Sequence, residues 1–572
     1  MQSSLLKNKT ASGWWTPDTR HPTSDIRNPE PEYDAVKTAI IRVTHPIFLV
    51  NLDGRIATAR GGSVSVSDPQ SSIPDPQSSA KGGYPLLAYA PALHPRSLGD
   101  PIFKETYGLR YAYIAGAMAN GITSVKMVEE MGRAGMIGFF GAAGLPLSEV
   151  EAAIDQLYNA GGVQGSLAEG FPFGFNLIHS PNDPELEAGV VDLYLRRGIQ
   201  LVSASAYMDL TLPLVYFRVK GICRDSQGRI VCPNKIIAKV SRIEVARKFF
   251  SPPPEKLLTQ LIETRMITKE EAELAASVPV AEDLTAEADS GGHTDNRPAL
   301  SLLPTIIALR NELTEKYKYE RPPCVGLAGG ISTPESAAAA FAMGAAYVLT
   351  GSVNHACVEA GTSETVRQML AAARQADVTM APAADMFELG VKVQVLKRGT
   401  MFPLRAAKLY DLYCRYDSLE AIPHDQKAIL QRDFFRKSFQ EEWEQTKKFF
   451  AVQDPVQITR AEKDPKHKMA LLFRSYLGLS SRWATRGEPS RKIDYQIWCG
   501  PALGAFNEWV KGSFLEKPEN RKVVDVAMNL LLGAAIVTRA NWLRCQGIPL
   551  PADVGKFAPA ELSEISELGI DI

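Results

Sequence analysis

Residues 323–353 read PCVGLAGGISTPESAAAAFAMGAAYVLTGSV and contain two apolar runs, each followed at once by a small polar turn. The turns hold Gly329-Gly330 and Gly351-Ser352, and an alanine-rich helical stretch lies between the runs. Short apolar runs that alternate with helical stretches predict parallel strands buried on both faces. Loops after the seventh and eighth strands are the usual phosphate site of a (β/α)8 barrel. This stretch therefore predicts the last two strands of such a barrel.

The same alternation extends over residues 105–400. A doubly wound open sheet is the alternative, but it binds phosphate after its first strand. Here the phosphate-loop pattern follows the last strands, which favours an α/β fold built on a TIM (β/α)8 barrel. The predicted strands are YAYIAG (111–116), GMIGFFG (135–141), FGFNLI (173–178), IQLVSAS (199–205), NKIIAKV (234–240), an ill-defined run near 278–288, PCVGLAGG (323–330) and AYVLTGS (346–352).

Composition excludes several classes of protein. The 572-residue chain has a formal net charge of −1, whereas a dedicated nucleic-acid binder usually has a basic excess. No run approaches the roughly 18 consecutive apolar residues of a membrane span, and the N-terminus lacks the apolar core and cleavage site of an export signal. Seven thinly spread cysteines fit a reducing cytoplasm. The sequence predicts a cytoplasmic enzyme with neither a nucleic-acid partner nor a membrane span.

The sequence outside the barrel has a different texture. Two β-rich runs, IFLVNL and RIATA, flank Asp53-Gly54, which predicts a small N-terminal β-hairpin. The near-repeat DPQSS at 68–72 and 75–79 predicts a flexible linker. The expected domains are a small N-terminal segment (1–66), a Pro/Ser linker (67–83), the barrel domain (84–400) and a helical C-terminal domain (401–572).

Two insertions interrupt the predicted barrel. Residues 216–234 predict a hairpin that turns at Ser226-Gln227-Gly228. Residues 252–276 open with three prolines and then predict a charged helix-turn-helix. In the C-terminal domain, helical periodicity is longest over 426–450 and 521–543. The second of these stretches is apolar but interrupted by charge, which favours a buried helix over a membrane span.

The segment AEADSGGHTDNRP, residues 286–298, ends the sixth predicted strand and begins a loop. In a barrel, the carboxyl ends of the strands carry the active site. His293 follows two glycines that let the backbone approach a flat ligand closely, and imidazole readily donates a proton near neutral pH. Asp289, Asp295 and Asn296 could orient this histidine or the ligand. A polar turn with a surface histidine is the alternative.

The two glycine turns of residues 323–353 also have two interpretations. As a ligand site, their backbone N–H groups would bind a phosphate, aided by the dipole of the following helix. The phosphate need not be free, because that of flavin mononucleotide (FMN) would fit equally well. The alternative is a pair of tight strand-to-helix turns that need glycine for their geometry.

Three other strand ends carry candidate ligand contacts. In IAGAMANG (114–121), small residues leave room for a flat ring and Met118 can lie against it, although a small-residue core strand is the commoner explanation. Asn176 interrupts an apolar strand, and its amide needs either a bound heterocycle or neighbouring backbone as a partner. Lys239 could place positive charge near the pyrimidine of a reduced flavin, with snorkelling to solvent as the alternative.

These segments together resemble a known superfamily. The set IAGAMANG, GMIGFFGAAG, PFGFNLIHSP, IIAKVSR, AEADSGGHTDNRP, LAGGIS and LTGSVN is similar to the nitronate monooxygenase-like flavin barrels, which include FMN-dependent bacterial enoyl-ACP reductases. From about residue 84 onward, the chain more narrowly resembles the PfaD-type trans-acting enoyl reductases of polyunsaturated fatty acid and polyketide synthases. The tail segment YQIWCGPALGAFNEWVKGSFL belongs to this narrower match, because simple nitronate monooxygenases lack the tail.

The resemblance implies a TIM barrel that binds FMN at its C-terminal face. NADPH or NADH would reduce FMN, and hydride would then pass to the β-carbon of a trans-2-enoyl thioester. His293 matches the superfamily's active-site histidine; it would donate a proton, polarise the thioester carbonyl or only position the substrate. The residues implied to bind the cofactor are Gly116, Ala117, Met118, Asn176, Lys239, Asp289, Ser290, Gly291, Gly292, Gly329, Gly330, Gly351 and Ser352.

The implied partners are the acyl carrier protein domains of a separate synthase, which present the substrate on a phosphopantetheine arm. We expect a homodimer, and we expect insertion 252–276 and the C-terminal domain to cover the barrel mouth or dock the carrier protein. Two alternatives stay open at this point. One is a nitronate monooxygenase-like oxidase on the same barrel, and the other is a flavin-binding subunit of a synthase complex without turnover of its own.

Overall fold

The structure is a computed structural model, and the predicted linker over 67–83 lies outside its described residues except for Gly83. By contacts the chain divides into two compact units, which differ from the domains expected from the sequence. The first comprises Met1–Leu98, Thr333–Ala342 and Ala527–Ile572, and the second comprises Gly99–Ser332 and Met343–Val526. The structure describes residues 13–17, 25–27, 34–65, 83–164, 170–180 and 184–572.

Eight parallel strands close into a barrel, which confirms the predicted TIM fold. Each predicted run contains one strand, and the ill-defined sixth run forms a regular one. The barrel closes where the eighth strand pairs with the first, with Val348 opposite Tyr113. In chain order the strands are β1 (Tyr113–Ala115), β2 (Ile137–Phe140), β3 (Gly174–Ile178), β4 (Leu201–Ser205), β5 (Lys235–Val240), β6 (Asp283–Glu287), β7 (Val325–Ala328) and β8 (Val348–Thr350).

Helices connect the barrel strands, and local sequence explains where they begin. In the helix after β1, the Ser124 hydroxyl accepts the Met127 backbone N–H at 3.1 Å, which caps the first turn. Its buried residues Met127, Val128 and Met131 have helical spacing. The helices are Pro101–Tyr107, Val125–Arg133, Leu147–Asn159, Pro184–Arg196, Leu212–Val219, Ile243–Phe250, Ala299–Tyr317, Pro334–Ala342, Ser352–His355 and Glu364–Ala371.

The first insertion contains the predicted hairpin, formed by Cys223–Arg224 and Ile230–Val231. Its turn is closed by a hydrogen bond from Gly228 N–H to the Asp225 carbonyl at 3.0 Å. The start of the predicted segment is instead helical as far as Val219. The second insertion forms the predicted helix pair, Glu255–Glu263 and Lys269–Ala275.

A three-stranded antiparallel sheet lies beyond the barrel, and the sequence did not predict it. Its central strand is Lys392–Leu396, which pairs with Val378–Pro382 on one side and with Gly292–His293 on the other. The pairing places His293 opposite Val393. The predicted site loop is therefore held by a strand about a hundred residues later in the chain.

The C-terminal region is helical, as the sequence predicts. Its core contains Phe387, Phe402, Leu472 and Phe473, all fully buried. Asp464 caps the longest helix of this core by accepting the backbone N–H of Lys466 at 3.0 Å. The helices are Phe402–Arg415, His424–Ile429, the π-helix Leu430–Phe435, Phe439–Gln453, Pro455–Lys463, Pro465–Arg486, Ala502–Trp509, Val523–Cys545 and Leu562–Glu567.

The first unit contains a six-stranded antiparallel sheet and helix Asp34–Ile41. The predicted hairpin at Asp53-Gly54 is present, and both turn residues have positive φ, 52° and 81°, as a two-residue type I′ turn requires. Helix Val523–Cys545 is long and apolar enough to cross a membrane by composition, but 89% of that apolar stretch is buried. In sheet order the strands are Asp25–Arg27, Arg55–Arg60, Ile47–Leu52, Tyr84–Ala90, Trp14–Thr16 and Ser63–Ser65.

Candidate active site

A cavity of about 1140 Å³ lies at the carboxyl ends of the barrel strands. All fourteen residues that the resemblance implies for catalysis or cofactor binding line it, whereas the further candidates Asp295 and Asn296 do not. The roles assigned to them remain predictions. These lining residues are Gly116, Ala117, Met118, Asn176, Lys239, Asp289, Ser290, Gly291, Gly292, His293, Gly329, Gly330, Gly351 and Ser352.

His293 is half-buried and contacts a carboxylate that sequence analysis missed. Its Nε2 lies 3.2 Å from Oδ1 of Asp385. Burial acts to lower the pKa of His293, but the hydrogen bond and charge of Asp385 and the charge of Glu287 outweigh it, so the pKa lies above its ordinary value. The same contact holds the pKa of Asp385 below its ordinary value, against the effect of burial. The ring is therefore an imidazolium over a wider pH range than an isolated histidine.

The acidic and amide side chains of the site loop itself hold that loop, whereas Asp385 contacts the ring. Asp289 accepts hydrogen bonds at 2.8 Å from Asn296 Nδ2 and from Nε2 of Gln394, which also donates to the Ser290 carbonyl at 2.7 Å. Gln394 lies on the strand that pairs with Gly292–His293. The hydrogen bonds of Asp289 and Asn296 thus hold the loop and do not reach the His293 ring, and an orienting contact to the ligand stays a prediction.

Asp295 also serves the loop. Its carboxylate accepts two hydrogen bonds from the guanidinium of Arg242, both at 2.9 Å, and one from the Ser241 hydroxyl at 2.6 Å. These contacts, led by the Arg242 hydrogen bonds, lower the pKa of Asp295 to about 2. The pair clamps the loop after β6 to the end of β5, so Asp295 does not orient His293.

Lys239, at the end of β5, does not snorkel to solvent. Its Nζ lies 2.8 Å from Oε1 of Glu287, and the two side chains are only 14% and 18% exposed. Glu287 is the last residue of β6. Glu287 belongs to the same segment as His293, residues 286–298. Its position at the end of a barrel strand could have identified it as a site residue.

Asn176 finds its partners in the protein. Its Nδ2 donates to the Ser203 carbonyl at 3.1 Å and to the Ser205 hydroxyl at 2.9 Å. These two bonds use both amide hydrogens. Neighbouring groups thus satisfy the donor side of Asn176, and only its carboxamide oxygen is left for a ligand.

The glycines of the two predicted phosphate turns differ in what surrounds them. Gly329 is required by packing, because its φ is +83° and a Cβ would lie 2.6 Å from the Ala288 carbonyl carbon. A Cβ at Gly330 or Gly351 would instead meet no atom within 4 Å. The helix after Gly351 has only four residues, so exposed backbone around these two glycines, more than a helix dipole, would favour an anion.

The end of β1 has a packing reason for its glycine. A Cβ at Gly116 would lie 2.5 Å from a methyl of Leu349. The Thr123 hydroxyl donates to the Gly116 carbonyl at 2.7 Å and accepts the Met118 N–H at 2.9 Å, which fixes the turn. The small-residue pattern thus has a structural cause, and it also leaves Ala117 and Met118 on the cavity wall.

The tail segment also contributes residues to the cavity lining. Gly500 packs on the site loop so closely that a Cβ there would lie 2.9 Å from Gly291 N. Its N–H donates to the Ser352 hydroxyl at 3.0 Å. Nearby, buried His355 has Nδ1 3.2 Å from the Trp498 carbonyl, and burial lowers its pKa to about 4. Because that carbonyl can only accept, Nε2 of the neutral ring is a buried acceptor without a partner among the described residues.

Helices Phe439–Gln453 and Pro465–Arg486 form the opposite wall of the cavity. Asn120 Nδ2 joins the two sides by donating to the Ser481 hydroxyl at 2.7 Å. No residue of 252–276, a range that the structure describes throughout, lines the cavity, so this insertion forms no part of the cavity wall. The residues on these two helices that line the cavity are Gln445, Thr446, Phe449, Phe450, Leu471, Arg474, Ser475, Gly478, Leu479, Ser481 and Arg482.

Comparison with known proteins finds close relatives. One protein of the polyunsaturated fatty acid synthase of Thraustochytrium sp. is 48% identical over 454 residues, which are 78% of this chain and 30% of that protein. Polyketide biosynthesis protein PksE of Bacillus subtilis is 47% identical over 441 residues, 77% of this chain and 56% of that protein. The chain therefore spans less than a third of the first relative and just over half of the second.

One solved structure matches most of the chain, and one family model matches a part of the C-terminal region. The enoyl reductase domain of MlnA, from the macrolactin biosynthesis cluster of Bacillus amyloliquefaciens, is 41% identical with a TM-score of 0.73. The match covers 80% of this chain and 100% of that domain. Residues 416–495 match the inserted helical domain of acyl-carrier-protein S-malonyltransferase.

The fold and the site define a class, a TIM barrel with its cavity at the carboxyl ends of the strands and an inserted helical domain along one wall. Within that class, the chain belongs to the PfaD-type family of enoyl reductases of polyunsaturated fatty acid and polyketide synthases.

Proposed function

We propose that the protein is an FMN-dependent enoyl reductase that acts in trans on trans-2-enoyl thioesters bound to acyl carrier protein domains. NADPH or NADH is the reductant, and the pathway is polyunsaturated fatty acid or polyketide biosynthesis. The observation that carries the proposal is the shared cavity. In it, an imidazolium-favouring His293 lies with the open glycine turns and the helices of the inserted domain.

The residues present fit FMN. The open space at Gly330 and Gly351 suits a phosphate, and the unpaired Nε2 of His355 suits a donor such as a ribityl hydroxyl. Met118 would lie against the ring, and the carboxamide oxygen of Asn176 would accept from its polar edge. When bound, FMN supplies hydride transfer between the nicotinamide and the β-carbon of the enoyl thioester.

His293 would supply the proton. Reduction of the C=C bond adds hydride at the β-carbon and a proton at the α-carbon. Asp385 accepts from Nε2–H, so the proton that the imidazolium can give up is on Nδ1. Loss of that proton leaves a neutral ring that is still held by Asp385. The same N–H could first donate a hydrogen bond to the thioester carbonyl and so polarise it.

The test is a steady-state assay with purified protein reconstituted with FMN. We expect a yellow flavin spectrum and NAD(P)H consumption that depends on a crotonyl thioester. A colourless protein would exclude the cofactor. Consumption that requires oxygen and a nitroalkane, but not the thioester, would support a nitronate oxidase instead. A yellow protein without turnover on either substrate would support a non-catalytic flavin-binding subunit.

A further inference from the structure

Six lysine, arginine and histidine side chains line the cavity, and their electrostatic surroundings differ. His179 lies 3.1 Å from Glu187, and His355 lies 3.2 Å from the Trp498 carbonyl. Lys239 is paired with Glu287 and His293 contacts Asp385. Arg474 lies 3.2 Å from Glu388 and also donates to the Ala384 carbonyl at 2.9 Å. The sixth side chain, Arg482, is exposed and has neither a hydrogen bond nor an ion pair with any residue that the structure describes. Its charge is therefore available to an anionic ligand.

Arg482 is an exposed residue of the cavity lining and lies beside a partly exposed aromatic side chain. Its guanidinium carbon is 5.8 Å from the centre of the Phe449 ring. Phe449 is 46% exposed, although it lines the cavity and its ring contacts that of Phe450 at 5.1 Å. An unpaired guanidinium matches a phosphate through two parallel N–H bonds. The adjoining apolar ring suits the alkyl part of the same ligand.

We propose that Arg482 and Phe449 form a subsite for the phosphate-bearing arm of the thioester substrate, with the phosphodiester on Arg482 and the pantetheine chain against Phe449. This inference rests on the proposed function, because it names where the arm of that substrate is held. Both residues lie within the inserted helical domain, residues 416–495. Asp454, the nearby acid of the same wall, already caps a helix by accepting the Val456 N–H at 3.1 Å.

Two substrates that differ only in the phosphate test the subsite in the FMN-loaded full chain. We expect the wild type to reduce crotonyl-phosphopantetheine with a kcat/KM about tenfold above that for crotonyl-pantetheine. R482A abolishes this preference through a raised KM for the phosphorylated substrate, and R482K retains part of it. R486A is the matched control, since Arg486 is an exposed arginine on the same helix outside the cavity lining, and it keeps the full preference.

An R482A variant with the wild-type preference overturns the proposal. A raised KM for NADPH as the only change in R482A also overturns it, because Arg482 would then bind a phosphate of the dinucleotide. If the wild type reduces neither thioester, the proposed function is wrong. The binding of free phosphopantetheine then tests the subsite independently of turnover. In calorimetry with free phosphopantetheine, about tenfold weaker binding to R482A supports the subsite, and equal binding to wild type and R482A overturns it.

Discussion

At the scale of single residues, the contact between His293 and Asp385 raises the pKa of the proposed proton donor. The two side chains come from segments 92 residues apart and meet at 3.2 Å. Burial alone would make the ring a poorer proton carrier, because it disfavours the charged form. Asp385 reverses that effect, so the pKa of His293 lies above its ordinary value. Asp385 is thus a positioning residue that keeps the proposed donor charged.

We therefore expect D385N to change the pH dependence of turnover. Without the carboxylate, the pKa of His293 falls, so activity that needs the imidazolium is lost at lower pH than in the wild type. The profile of kcat against pH measures this, and D385E is the control that keeps the charge. A D385N profile that coincides with the wild-type profile would contradict the positioning role.

The histidine itself gives a sharper prediction. H293A should bind FMN normally and reduce crotonyl thioester about 10²–10⁴-fold more slowly, the usual contribution of general acid catalysis. Flavin absorbance gives the binding and NADPH oxidation gives the rate. Unchanged turnover would show that His293 does not donate the proton, and loss of flavin would show that it binds the cofactor.

The phosphate assignment can be tested by adding a single methyl group. G351A places a Cβ in the open space beside the predicted phosphate turn, where it would meet no atom within 4 Å. We expect weaker FMN binding, measured by fluorescence titration. G478A is the matched control, because Gly478 also lines the cavity and also has open space around its Cβ position. Equal FMN affinity in both variants would remove Gly351 from the phosphate site.

At the scale of elements, the eight barrel strands were predictable because each is a local apolar run between helical stretches. The sheet that holds His293 was not. Strand Gly292–His293 has two residues and no periodicity, and its partner Lys392–Leu396 follows after about a hundred residues. Local patterns contain no information on such long-range pairing. Asp385 and Gln394 reach the site only through that sheet, which is why sequence analysis missed both.

The loop after β6 should lose its anchor in D295N. Asp295 has a pKa lowered to about 2 by Arg242, so its stabilising contribution is present above its unfolded pKa near 4 and is lost as pH falls toward 2. The pair is partly exposed, so we expect a loss of about 1 kcal/mol. Faster hydrogen exchange in residues 289–298 at pH 7 measures it. Protection equal to that of the wild type would contradict the clamp.

At the scale of the whole molecule, each compact unit joins segments that are far apart in the chain. In the first unit, the guanidinium of Arg539 donates to the Ile40 carbonyl at 2.8 Å across almost 500 residues. In the second, residues from β1 to Gly500 line one cavity. Domain boundaries drawn from composition follow chain order, so they could not place the last helices with the N-terminal sheet. The sequence predicted that the C-terminal region is helical, but it did not predict which of its helices line the cavity.

We infer that this cavity passes reducing equivalents from a nicotinamide to an enoyl thioester. The most direct measurement is anaerobic: FMN-loaded protein is bleached with one equivalent of NADPH and then mixed with crotonyl acyl carrier protein. We predict that the flavin absorbance returns at a rate that increases with thioester concentration and that butyryl carrier protein forms. A bleached protein that reoxidises with oxygen but never with the enoyl thioester would show that the cavity does not reduce enoyl thioesters.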